Sequence, residues 1–132
     1  MEIEGVDHIG IVVKSLKEAL NTWKRTLGLK DERIIEAEDY KLKIGLVSLG
    51  NLYLEFLEPT HATSPVAKFL KKRGGGLHHI AFKVKNIKKV LDELKSLGIE
   101  FIDERPKMGA RGHKIAFISP KSFSGVLIEL TE

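Results

Sequence analysis

The chain has 132 residues, 42% of them hydrophobic and 30% charged, and no cysteine. That length suits one domain or two very small modules sharing a core, and the lack of thiols excludes a disulfide framework, thiolate metal sites and cysteine nucleophiles. The formal charge of +4 is modest and comes without a nucleic-acid recognition motif, and no apolar run approaches the roughly 20 residues of a membrane helix, so neither nucleic acid nor membrane is expected as a partner. The acidic start, MEIEGVDHIG, lacks the apolar centre of a leader peptide and points to a cytoplasmic protein. There is no Gln, few Asn and much Lys and Glu, a composition common in thermophiles.

The first predicted element is a strand over 5–13, where Ile9, Ile11 and Val13 alternate with His8, Gly10 and Val12. Ser15 then caps a helix, with Glu18 completing an S-x-x-E capping box. Leu16, Ala19, Leu20, Trp23 and Leu27 form its apolar stripe, and Gly28 ends it. Strands follow at 43–48 and 52–57. A short helix is expected next, capped by Ser64 with Pro65 at its first position and Val66, Phe69 and Leu70 inward. Its end, Lys71, Lys72 and Arg73, suits the helix dipole and reads as a solvated face. The glycines at 74–76 lack the Lys-Ser/Thr of a phosphate loop and precede a strand. That strand covers 78–84. Asn86 caps the following helix, its stripe is Ile87, Val90, Leu91, Leu94 and Leu97, and Gly98 ends it. Strands at 114–119 and 126–131 complete the chain.

The two halves repeat. VDHIGIVVKSLKEAL at 6–20 resembles LHHIAFKVKNIKKVL at 77–91 at an offset of 71, and KIGLVS at 43–48 resembles KIAFIS at 114–119 at the same offset. LYLEFL at 52–57 then matches VLIELT at 126–131 at an offset of 74. The pattern predicts an α+β fold of two tandem βαβββ modules in one domain: residues 1–60, a linker helix over 64–73, and residues 76–132. Modules this short need each other's apolar faces.

Strand parity picks out four side chains. His8 and His79 each face away from the apolar, helix-packing side of their strands, as do Glu55 and Glu129. Gly10 and Ala81 leave room beside them. Unpaired buried carboxylates are costly, and a divalent cation is a suitable partner. Two imidazoles and two carboxylates suit Zn, Co, Ni, Mn or Fe(II) and leave a position for water or substrate. His78 points the other way and reads as structural. His61 and His113 read as surface residues.

The segments DHIGIVVKSL at 7–16, LGNLYLEFLEP at 49–59, SPVAKFLKKRGGGLHHIAFKV at 64–84 and KMGARGHKIAFISPKSFSGVLIEL at 107–130 resemble the vicinal oxygen chelate superfamily. Within it, they resemble most the methylmalonyl-CoA epimerase family. The resemblance implies a cupped mixed sheet around a metal held by His8, Glu55, His79 and Glu129, with Co(II) first and Zn, Ni or Mn as alternatives. It implies an acyl-CoA substrate, proton removal and return at C2 through an enolate, and a homodimer. It further implies an acid/base pair of carboxylates, Glu129 and one residue before the strand at 43–48, either Glu38 or Asp39. Lys107, Arg111, Lys114 and Lys121 are expected to meet the coenzyme A phosphates. The chain departs from the family at Ser119, where His is common, and at Arg111, where His or Gly is usual. A lactoylglutathione lyase and a non-catalytic small-molecule binder of the same superfamily are the alternative readings.

Overall fold

The structure is a computed structural model that describes residues 2–132; Met1, which opens the expected first module, lies outside the described residues. The order is β1 (Ile3–Val12), α1 (Leu16–Leu27), β2 (Glu32–Ala37), β3 (Leu42–Ser48), β4 (Tyr53–Pro59), α2 (Ala67–Arg73), β5 (Gly76–Val84), α3 (Ile87–Lys95), β6 (Lys107–Met108), β7 (Lys114–Ile118) and β8 (Ile128–Thr131). Short 3-10 turns cover Glu38–Tyr40 and Pro120–Ser122. The βαβββ order thus occurs twice, and the α+β expectation holds. Within each of two units the strands form a mixed sheet, in the order β2-β3-β4-β1 in one and β5-β8-β7-β6 in the other. Among the described residues no helix is long and apolar enough to cross a membrane. Two compact units are present: His8–His78, and the chain up to Asp7 with His79–Glu132.

In the unit His8–His78, β1 and β4 run parallel, and β2, β3 and β4 form an antiparallel meander. Ser15 starts α1 by accepting the Glu18 N–H at 3.2 Å, and Gly28 ends it in the left-handed conformation. Leu16 and Leu20 of α1 join Ile11, Val47, Leu54 and Phe56 in one core. The Trp23 ring meets Phe56 edge-on at 5.1 Å. The helix lies so close to β3 that a Cβ on Gly45 would stand 2.8 Å from Leu16 Cδ1, so a side chain there would have to push the Leu16 side chain aside. Leu27, expected in the stripe, is 65% exposed; it sits at the last turn, where α1 has run past the sheet it packs on.

The linker helix starts later than its sequence suggests. Val66, not Ser64, is at the cap position, and Pro65 lies in the preceding turn. The Ser64 carbonyl accepts the Ala67 N–H, while its buried hydroxyl has no partner among the described residues. Packing turns that side chain inward, so it cannot reach the helix amides.

In the other unit β5 and β8 are parallel, and β6, β7 and β8 are antiparallel. Asn86 caps α3 by accepting the Lys89 N–H at 3.1 Å. Ile87, Val90, Leu91 and Leu94 pack on Val84, Ala116, Ile118, Ile128 and Leu130. Gly98 is not the stop. The helix ends at Lys95, and tight turns from Leu94 and Lys95 carry the chain on to Gly98. That leaves Leu97 67% exposed. Val126, expected to pack in the last strand, precedes β8 and is 38% exposed. Two substitutions separate the stripe from its overrun. Leu91→Ala should cost about 2–5 kcal/mol of stability and Leu97→Ala less than about 0.5 kcal/mol, read from urea unfolding midpoints.

Candidate metal centre

The candidate ligands rise from the strands by register. In the parallel pair β1·β4, His8 lies opposite Tyr53 and Gly10 opposite Glu55. Opposed residues share a face of the sheet, and i, i+2 neighbours do too. His8 and Glu55 therefore share a face, with the missing side chain of Gly10 clearing the space between them. His8 Nε2 stands 3.6 Å from Glu55 Oε1, and both side chains are buried. The other unit repeats this arrangement. Ala81 lies opposite Glu129 in β5·β8, and His79 Nε2 stands 3.6 Å from Glu129 Oε1, again with both buried.

The separation is informative. At 3.6 Å an imidazole nitrogen and a carboxylate oxygen are too far apart for a good hydrogen bond. Two donors each about 2.1 Å from a shared ion at a tetrahedral angle stand roughly 3.4 Å apart. The pairs are spaced as co-ligands rather than as hydrogen-bonded partners. Each buried pair offers an imidazole nitrogen and a carboxylate oxygen, donors that suit a divalent cation.

Neighbours hold these groups in place. The His79 ring meets Phe117 edge-on at 5.7 Å, and Phe117 lies opposite Glu129 in β7·β8. The sequence reading missed Phe117, although the offset of 71 maps it onto Leu46, which lies opposite Glu55 in β3·β4. Lys107 Nζ sits 5.3 Å over the Phe117 ring and 3.1 Å from Asp103 Oδ2, and that carboxylate also accepts the Phe117 N–H at 2.9 Å. Arg111 is partly buried and pairs with Asp7 at 3.3 Å, one residue before His8. Nothing in local spacing links Asp7 to a residue so far along the chain.

The four basic residues expected to meet the coenzyme A phosphates are spread along β6, β7 and the turns beside them. In the short β6·β7 ladder Lys107 lies opposite Ile115 and Lys114 opposite Met108, at the start of β7 and close in sequence to Arg111. Lys121 lies past its far end, in the turn Pro120–Ser122, about a strand length or roughly 14 Å away. Ser119 is buried and starts that turn by accepting the Lys121 N–H at 3.2 Å.

Glu38 and Asp39 are exposed on the 3-10 turn between β2 and β3. Glu38 lines a cavity of about 330 Å³ that Lys41, Lys43 and His61 also line. Asp39 is not among the lining residues. The remaining histidines are as expected: His61 and His113 are exposed, and His78 packs edge-on against Phe69 at 4.8 Å. Burial pushes the His78 imidazole below its usual value, so it stays neutral at neutral pH.

Residues 7–117 match the model of the Glyoxalase/Bleomycin resistance protein/Dioxygenase superfamily. The ethylmalonyl-CoA/methylmalonyl-CoA epimerase of Cereibacter sphaeroides is 34% identical over 129 residues, 96% of each chain. A methylmalonyl-CoA epimerase solved with methylmalonyl-CoA and NH4+ superposes with a TM-score of 0.90 at 30% identity, covering 98% of this chain and 94% of that one. Streptomyces coelicolor methylmalonyl-CoA epimerase, solved with 2-nitronate-propionyl-CoA, superposes with a TM-score of 0.88 at 29% identity over 98% of this chain and 97% of that one. Its solved variants include changes at a glutamate and at a glutamine 17 residues further on.

Proposed function

Since the chain belongs to the Glyoxalase/Bleomycin resistance protein/Dioxygenase superfamily, we propose that it is a divalent-metal-dependent epimerase that interconverts the two C2 configurations of methylmalonyl-CoA. The observation that carries this reading is the repeated His–Glu pair, buried and spaced at 3.6 Å in each half, in a chain similar over nearly its whole length to epimerases. His8, Glu55, His79 and Glu129 would hold the ion. When bound, it supplies positive charge against the negative charge that develops on the thioester oxygen, worth several kcal/mol. Cobalt(II) heads the candidates, with zinc, nickel and manganese also suited to nitrogen and oxygen donors.

The chain's own carboxylates move the proton. Epimerisation takes it from one face of C2 and returns it to the other, so two acid/base groups on opposite faces are needed, each worth roughly 10²–10⁴ in rate. Glu129 serves one face. Glu38 serves the other in preference to Asp39. It precedes Glu55 by 17 residues, the separation of the two altered positions in the Streptomyces coelicolor variants, and it opens on a cavity that Asp39 does not line. Glu38→Gln is expected to lower turnover by about 10²–10⁴ with metal content unchanged, and Asp39→Asn to leave both near wild type. Deuterium incorporation at C2 measures this, and the opposite pattern assigns the role to Asp39.

Lys107, Arg111 and Lys114 are proposed to meet the anionic coenzyme. Lys121, in the turn past the end of β7, would meet a more distant part of it. A homodimer and a cytoplasmic location complete the reading. The deciding assay offers methylmalonyl-CoA in deuterated water and, separately, the hemithioacetal of methylglyoxal and glutathione. Label entering C2 supports the epimerase. Turnover of the hemithioacetal alone assigns a lactoylglutathione lyase instead, and turnover of neither assigns a binding protein.

A further inference from the structure

Each glutamate assigned to the ion is followed three residues later by another: Glu55 by Glu58 and Glu129 by Glu132. Side chains alternate along a strand, so an odd spacing sends the two carboxylates to opposite faces of the sheet. Glu55 and Glu129 stay with the histidines, and Glu58 and Glu132 turn to the helix side. There each meets the first amide of a helix. Glu58 Oε1 accepts the Leu16 N–H of α1 at 2.7 Å, and a Glu132 side-chain oxygen accepts the Ile87 N–H of α3 at 2.9 Å. Glu132 also continues the β8 ladder by donating its N–H to the Lys114 carbonyl at 3.0 Å.

These bonds join elements far apart in sequence, yet they are the same bond in both halves. The offset of 71 maps Leu16 onto Ile87, and the offset of 74 maps Glu58 onto Glu132. The first amides of a helix have no partner within it. A carboxylate there gains from the helix dipole and from a charge-assisted bond. Ser15 and Asn86 already cap the two helices by accepting the amides of Glu18 and Lys89, so the glutamate is a second tie, and it comes from the strand that carries the ligand.

We propose that Glu58 and Glu132 are positioning residues for the metal centre: each pins its strand to a helix about 10 Å along from the ligand glutamate and so fixes the strand's rotation and the aim of Glu55 or Glu129. The inference rests on the metal-centre reading above. A free strand end can twist about its own axis. A tie on the opposite face removes that freedom, as outer contacts do for metal ligands generally.

The test is competition for Co(II) against a chromophoric chelator, with thermal unfolding followed on the same samples. Glu58→Ala and Glu132→Ala should each weaken Co(II) binding roughly tenfold, the low end for outer contacts of metal ligands. Glu58→Gln keeps an acceptor oxygen and should bind like wild type. Ser15→Ala removes the other bond at the α1 N-terminus without touching β4, and it should lower the melting temperature while leaving Co(II) affinity unchanged. Wild-type affinity in both alanine variants overturns the inference, as does a Ser15→Ala loss equal to that of Glu58→Ala, which would make the tie merely structural. Should Glu58→Ala not fold, Glu132→Ala at the exposed chain end decides alone. A wild-type chain that binds no Co(II) overturns the metal-centre reading and this inference with it, whereas wild-type binding with unaltered variants overturns the inference only.

Discussion

Replacing Glu129 with Gln is expected to lower proton exchange at C2 by about 10³-fold or more while leaving the chain folded. Two losses combine. Glu129 is the carboxylate of the buried pair with His79, and a neutral amide in its place binds a cation more weakly. It is also one of the two groups proposed to carry the proton, a role an amide cannot fill. The fold should tolerate the change because Gln is nearly isosteric and the core that holds β8 lies on the other face, in Ile128 and Leu130. Without metal, the buried carboxylate beside His79 is itself a burden. The melting temperature of the metal-free variant should therefore equal or exceed that of the metal-free wild type. Mass spectrometry of deuterium uptake and thermal unfolding read the two effects. Wild-type exchange rates in the variant would remove Glu129 from the chemistry, and an unfolded variant would give it a structural role instead.

The geometry of the candidate ligands was legible because strand parity is local and the repeat supplies a second copy. His8 with Glu55 is an ordinary pair by itself; finding His79 with Glu129 at matching positions made the pattern specific, and both pairs stand at the same distance in the structure. The caps at Ser15 and Asn86 were legible for the same reason: the side chain and the amide it accepts lie three residues apart. Contacts between distant segments left no such trace. Arg111 to Asp7, Asp103 to the Phe117 amide, and Glu58 to Leu16 depend on how strands are laid side by side. The end of α1 at Gly28 was legible, but the apolar stripes overran the packed surface at Leu27 and Leu97. The start of α2 was misjudged because Ser64 and Pro65 have the residue types of a helix start, yet the Ser64 side chain is packed inward.

The most direct test of the account is metal removal and return, followed by C2 exchange. The purified chain should carry about one divalent ion. Dialysis against a chelator should bring deuterium incorporation into methylmalonyl-CoA to background, and Co(II) should restore it, with the His8→Ala, His79→Ala and Glu129→Gln variants failing to recover. Loss of the ion removes the charge stabilisation assigned to it, several kcal/mol or roughly 10³-fold and more in rate. A chain stripped of metal that still exchanges the C2 proton at the untreated rate would contradict the account, because the two buried His–Glu pairs would then serve no purpose in the reaction.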